Sequence, residues 1–219
     1  MEVFHSVQEA QRFTLEQRAT RQRVGVVPTM GALHEGHISL VAQSRSQGPT
    51  IATIFVNPTQ FGPGEDLDKY PRTLDSDCKL LRDAGADAVF VPETKQMYPE
   101  GFSTYVDPPE VARSLEGVCR PDHFRGVTTV VLKLFQAIPA SHAFFGKKDY
   151  QQLRVIESMV RDLNVGIEIV GCETVREADG LALSSRNRYL SPAERVRGLR
   201  ISQALNGAEQ SLRSGERRV

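Results

Sequence analysis

The sequence predicts an α/β fold in which a mainly parallel sheet carries helices on both faces. Three observations predict it. Short apolar or β-branched runs recur along the chain, segments of helical period separate them, and Pro28, Gly85 and Pro92 punctuate the junctions. No internal repeat and no low-complexity tract interrupts this alternation.

The elements follow in order. Ser6 followed by Glu9 is a capping box that opens a polar helix running to about Thr20. Val24 to Val27 is a short buried strand that Pro28 should end. A helix over Gly36 to Gln43 and a second strand over Thr50 to Val56 come next. Residues 57–72, rich in proline and glycine, form a long loop, and loops of that length are often functional. A helix over Thr73 to Asp83 stops at Gly85, and the strand Ala88 to Val91 closes at Pro92. Val127 to Ala137 reads as an apolar helix and Ala143 to Phe145 as a strand. Asp149 to Asn164 places Leu153, Ile156, Met159, Val160 and Leu163 on one helical face, and Gly166 to Val170 is the next strand. Ser191-Pro192 then starts a helix that Leu199, Leu205 and Leu212 continue sparsely, so it needs a partner. The tail from Ser214 to Val219 reads as frayed.

A chain of 219 residues holds one well-filled core with a small appendage. Lys+Arg and Asp+Glu both number 27, and this balance argues against a nucleic-acid or anionic-membrane binder, which needs a basic excess. It leaves room for a local basic pocket. Cys78, Cys119 and Cys172 are too far apart for a zinc spacing or a disulfide framework. No apolar run approaches the roughly 18 residues of a membrane span and the start is polar, so the expected address is cytoplasmic.

Four clusters lie just after predicted strands, where ligands bind in open parallel sheets. In His34-Glu35-Gly36-His37, two imidazoles three residues apart face one ligand at a helix entry. Gly36 lets a phosphate approach the backbone, and the helix N-terminus adds free N–H groups. Two surface histidines on an ordinary helix start are the competing reading. Gly146-Lys147-Lys148-Asp149 offers a lysine suited to phosphates, and Ser184-Ser185-Arg186 resembles a phosphate clamp. Asn57-Pro58-Thr59-Gln60-Phe61 presents carboxamides to a hydroxylated or carboxylated substrate. Each of these three has a plain alternative, namely solvated lysines, an ordinary loop and turn formation. The segments 120–124 and 70–72 lie between loop contacts and local packing.

Taken in order, these segments resemble the pantothenate synthetase (pantoate–β-alanine ligase) family within the HxGH nucleotidyltransferases. The matching stretches are residues 27–37, 54–61 and 67–72, then Leu115-Glu116-Gly117, Arg120-Pro121 and residues 123–127. Phe145-Gly146, residues 148–153 and residues 176–187 complete the set. The resemblance implies a Rossmann-like, doubly wound sheet. It also implies a two-step reaction in which pantoate's carboxylate attacks the ATP α-phosphate, releasing pyrophosphate. The amine of β-alanine then attacks the pantoyl adenylate, releasing AMP. Under this resemblance Met30, Gly31, Ala32, Leu33, His34, Glu35, Gly36 and His37 bind ATP. His34, His37 and Lys148 are catalytic, with His37 the proton donor. Gly146 to Asp149, Val175, Leu183, Ser184, Ser185 and Arg186 complete the ATP site. Gln60 and Gln152 hold pantoate, Gln60 also meets β-alanine, and Arg120 and Tyr70 line or cover the pocket. Mg²⁺ is expected to arrive with ATP and without a dedicated protein cage, and a homodimer is expected.

Two departures accompany the resemblance. Lys147 stands where many relatives carry Glu, adding positive charge beside Lys148. Residues 1–187 correspond to the ATP- and pantoate-binding domain. Residues 188–219 correspond to only the start of a smaller C-terminal lid domain, a truncated helical remnant. Two alternatives stand beside the ligase reading: a nucleotide- or pantoate-binding remnant with little turnover, and a nucleotidyltransferase sharing only the HxGH core. Gln60 and Gln152 argue against the second.

Overall fold

The computed structural model describes residues 1–20 and 22–215. Its centre is a six-stranded parallel sheet in the order β1-β4-β3-β2-β5-β6. The strands are β1 (Glu2–Phe4), β2 (Gly25–Thr29), β3 (Thr50–Ile54), β4 (Ala88–Phe90), β5 (His142–Gly146) and β6 (Glu168–Cys172). The helices are α1 (Val7–Ala19), α2 (Glu35–Arg45), α3 (Leu74–Asp83), α4 (Thr94–Met97), α5 (Glu116–Cys119), α6 (His123–Ala137), α7 (Tyr150–Asp162) and α8 (Pro192–Arg213).

Side chains that alternate along the strands build two cores, one on each face. Val26, Ile51, Phe90 and Phe145 join α1, α6 and α7 in the larger one. Val27, Ala52, Val89 and Phe144 join α2 and α3 in the other. The expected architecture is therefore present; the capping box at Ser6 opens α1 as read, and Ser191 caps α8 as read, with Glu194 completing a capping box there.

The differences have local causes. β1 escapes the sequence reading because three residues are too few to show a period. β2 does not stop at Pro28 but runs through it to Thr29. Gly25 N–H donates to the Pro49 carbonyl and the Thr29 carbonyl accepts from Phe55 N–H, so odd-numbered residues of β2 face β3. Val24, whose carbonyl accepts from Ser141 and His142, and Pro28 therefore face β5. β5 pairs with β2 only at Gly25 and Val26, so the N–H that proline lacks falls where no ladder bond is required. α6 begins a turn early, at His123. In α7, Leu153, Ile156 and Met159 are buried, but Leu163 falls just past its end and is exposed. α8 docks through buried Ser202 and through Arg195, which pairs with Glu177 and Asp179. Ser214 caps its end; residues 216–219 of the expected frayed tail lie outside the described residues.

Candidate active site

The sheet order reverses direction between β2 and β5, and the two strands separate beyond Val26. That divergence opens a cavity of about 270 Å³ at the carboxyl ends of the strands, the usual ligand position in such sheets. Pro28 and Thr29 form one wall and Phe144 to Gly146 another. All four sequence clusters contribute to it: Asn57, Gln60, His34, Gly36, His37, Gly146, Lys148, Asp149 and residues 183–186.

His34 is the N-cap of α2 and His37 its third residue. The Nδ1 of His34 accepts from Gly36 N–H at 3.1 Å, and the Nδ1 of His37 accepts from His34 N–H at 3.3 Å. With both Nδ1 atoms accepting, each ring carries its proton on Nε2. The rings lie side by side, centroids 4.1 Å apart. Burial, then the neighbouring Lys148 and Arg188, lowers the basicity of His34. Burial, then His34 and Lys148, pushes His37 down to about 3. Both imidazoles are thus neutral near pH 7, each with one N–H to donate. Gly36 is required by the same fold-back, because a Cβ there would lie 2.8 Å from Cε1 of His34.

The stretch before the histidines divides. Met30 lines the cavity, and its Sδ receives Nε2 of Gln60 at 3.3 Å. Gly31, Ala32 and Leu33 are buried behind it, outside the cavity lining. The N–H groups of Ala32 and Leu33 donate to the Asp77 carboxylate at 2.9 and 2.8 Å, so they are not free to hold a phosphate. Glu35 is exposed and outside the lining.

On the opposite wall, Lys148 sits at the rim with its side chain 37% exposed, beside Asp149 at 3.1 Å. Lys147 points elsewhere, to Glu173, which offsets the charge that the departure at this position adds. Thr174 and Val175 continue this wall. Ser184 Oγ caps the turn by accepting from Arg186 N–H. Arg186 makes two 2.9 Å bonds to Asp66 of the long loop and lies over the Tyr70 ring. Its fork is therefore already engaged by a carboxylate.

The loop is anchored at its other end by Asn57, which is 1% exposed and whose side-chain amide donates to Gln60 Oε1 and the Gly126 carbonyl. The backbone carbonyl of Gln60 accepts from Arg120 and His123. Arg120 also pairs with Glu65 and Glu116, so it braces the loop from the end of α5. Gln152 lines the cavity and makes no side-chain hydrogen bond with the described residues. The inner end is apolar, formed by Val127, Val130, Val131 and Leu134 of α6 with Phe144. Sequence reasoning missed Asp77, Glu65, Asp66 and this valine wall. The valines carry a signal only as an apolar helix, which does not tell core from cavity.

Among the described residues no group of three or more His, Cys, Asp or Glu gathers as a metal cage, and no helix is long and apolar enough to cross a membrane. The family described as Pantoate-beta-alanine ligase matches residues 2–219. The pantothenate synthetase of Rhodopirellula baltica is 56% identical over 219 residues, covering 98% of this chain and 77% of that protein. The pantothenate synthetase of Thermus thermophilus superposes with a TM-score of 0.89 at 48% identity, over 98% of this chain and 77% of that one. The pantoate-beta-alanine ligase of Francisella tularensis, solved with beta-gamma ATP and beta-alanine, gives a TM-score of 0.84 at 38% identity, over 94% and 79% of the two chains.

Proposed function

The chain belongs to the pantoate–β-alanine ligase family, and from that membership we propose how its residues divide the work of an ATP-dependent ligase that makes pantothenate. The observation that carries the division is the pair of neutral imidazoles between an apolar inner end and a charged rim that carries Lys148. Pantoate takes the inner end, its methyl groups against Val130 and Val131 and its oxygens toward Gln60 and Gln152. ATP takes the rim, with Val175 near adenine and Lys148, Ser184, Ser185 and Arg186 on the phosphates. This puts the α-phosphate beside His34 and His37.

In the first step a pantoate carboxylate oxygen bonds to the α-phosphorus as the bond to pyrophosphate breaks. His34 and His37 donate Nε2–H bonds to the phosphoryl oxygens as charge builds there, and Lys148 offsets the charge leaving with pyrophosphate. A neutral His37 acts here as a hydrogen-bond donor rather than as a source of a transferred proton. In the second step the β-alanine amine, held near Gln60, attacks the acyl carbon. The C–O bond to AMP breaks and the ammonium proton is lost. Mg²⁺ enters as the MgATP substrate, held by phosphates and water; Asp149, at the rim, is the nearest lining carboxylate to Lys148. We further assign residues 1–187 to the catalytic domain and residues 188–219 to the opening of a lid domain, which the exposed Val196, Ile201 and Leu205 of α8 support. A homodimer follows from the family resemblance.

Pantoate labelled with ¹⁸O in its carboxylate tests the first step. AMP should carry one ¹⁸O, and His37→Ala should cut its rate of formation by about 100-fold or more. Unlabelled AMP, or ADP as product, removes the adenylate route.

A further inference from the structure

The HxGH segment is presented by an unusual turn. Gly31 (φ +83°) and Ala32 (φ +50°) are successive left-handed residues, and the second is not glycine. An alanine adopts that conformation only when its surroundings impose it. The N–H groups of Ala32 and Leu33 consequently point the same way, into a concavity that suits an anion. Here the anion is part of the protein. Oδ2 of Asp77 takes Ala32 N–H at 2.9 Å, Oδ1 takes Leu33 N–H at 2.8 Å, and the Thr73 hydroxyl adds a third bond at 3.1 Å.

Asp77 is 1% exposed, and no lysine or arginine pairs with it among the described residues. Its charge is met by these donors and by its place in the first turn of α3. Such a carboxylate is costly to bury for packing alone, since an apolar side chain would fill the same space more cheaply. Its two oxygens fix the orientation of two consecutive peptides. The next residue is His34, whose N–H binds Nδ1 of His37 and whose Nδ1 binds Gly36. The geometry of both rings therefore starts from the peptide that Asp77 holds.

We infer that Asp77 is a positioning residue for adenylation, clamping the turn at residues 31–33 so that His34 and His37 present their Nε2–H groups together. The inference rests on the proposed role of the histidines, but its test separates the two. Asp77→Asn keeps the volume while turning one acceptor into a donor that faces a backbone N–H. It should lower kcat about 10- to 100-fold, as a displacement near 1 Å does, and change the KM for ATP much less. The ¹⁵N resonances of the two imidazoles should move off the pattern of a protonated Nε2 and an accepting Nδ1. Asp75→Asn, which removes an exposed charge from the same turn of α3, should leave kcat and the resonances unchanged. Gly31→Ala is the second variant, for use if Asp77→Asn does not fold. Its Cβ would meet Asp77 Oδ2 at 3.0 Å, displacing the clamp, and should move the same resonances. Imidazole resonances unmoved in the folded variants overturn the inference, whatever kcat does. If His37→Ala leaves adenylation intact while Asp77→Asn moves the imidazoles, the positioning stands and the catalytic reading falls.

Discussion

In the proposed mechanism His37 works as a neutral donor, and the fold keeps its ring from taking a second proton. Its Nδ1 is occupied by a backbone N–H, and burial with His34 and Lys148 nearby lowers its pKa to about 3 from 6.5. The sign follows from linkage: below pH 6.5 the unfolded chain gains a proton at this position that the folded chain refuses. The stability held by the neutral ring is thus complete above pH 6.5 and is lost as pH falls toward about 3. His37→Asn keeps an acceptor near the Nδ1 position and cannot titrate. Denaturant titrations at about pH 7.5, 5.5 and 4 should show wild-type stability falling more steeply than the variant's over this interval. Parallel curves for the two proteins would mean that His37 is freely protonated in the folded state. At this scale the sequence was informative about His34, Gly36 and His37, because spacing at a helix entry has one geometric consequence. It was silent about Asp77, which is one of two acids in the first turn of α3, and only the tertiary fold separates it from Asp75. Nor does the pattern show that the N–H groups of Ala32 and Leu33 are already taken by Asp77.

At the level of elements, α6 and the loop after β3 approach too closely for a side chain. A Cβ on Gly126 would lie 2.3 Å from the Thr59 carbonyl oxygen and 2.7 Å from Cα of Gln60. Contacts of that kind on backbone atoms cannot be relieved by a rotamer change, so Gly126→Ala must move the loop or the helix. It should cost about 1–3 kcal/mol of stability. It should also raise the KM for pantoate several-fold through Gln60 while leaving ATP binding nearly unchanged. Equal effects on both substrates would detach Gln60 from pantoate. Most elements were readable because strands and helices of ordinary length announce themselves by period and by their punctuation. Pro28 was not, because proline usually ends a central strand. Its tolerance here depends on β5 leaving β2 after Val26, a fact of topology. The same separation makes the cavity, so the misread residue marks the site's position.

The whole molecule sets a harder problem, since in the proposed mechanism a mixed anhydride formed beside the histidines must meet an amine before it meets water. The cavity is asymmetric in this respect. Its inner end is walled by α6 valines and Phe144, whereas its rim carries Lys148, Asp149 and Glu173, all exposed. The loop at residues 57–72 spans the two ends, tied by Glu65 to Arg120 on one side and by Asp66 to Arg186 on the other. Both ties join partly exposed groups, and each contributes little to stability by itself, on the order of 0–1 kcal/mol. Their value lies in where they hold the loop. In the proposed mechanism incoming phosphates compete with Asp66 for Arg186, so the loop can yield to ATP at one end while Arg120 keeps the Gln60 end in place. With ATP and pantoate but no β-alanine, this arrangement should release about one pyrophosphate per site in a burst, then turn over slowly as water reaches the acyl carbon. Glu65→Ala with Asp66→Ala should leave the burst near its full size and speed the slow phase several-fold, because the loop no longer covers the pantoyl end. Quenched-flow measurement of pyrophosphate reads both phases. A slow phase unchanged in the double variant would show that the valine wall alone excludes water, and that the loop's two carboxylates serve only to steady the empty site.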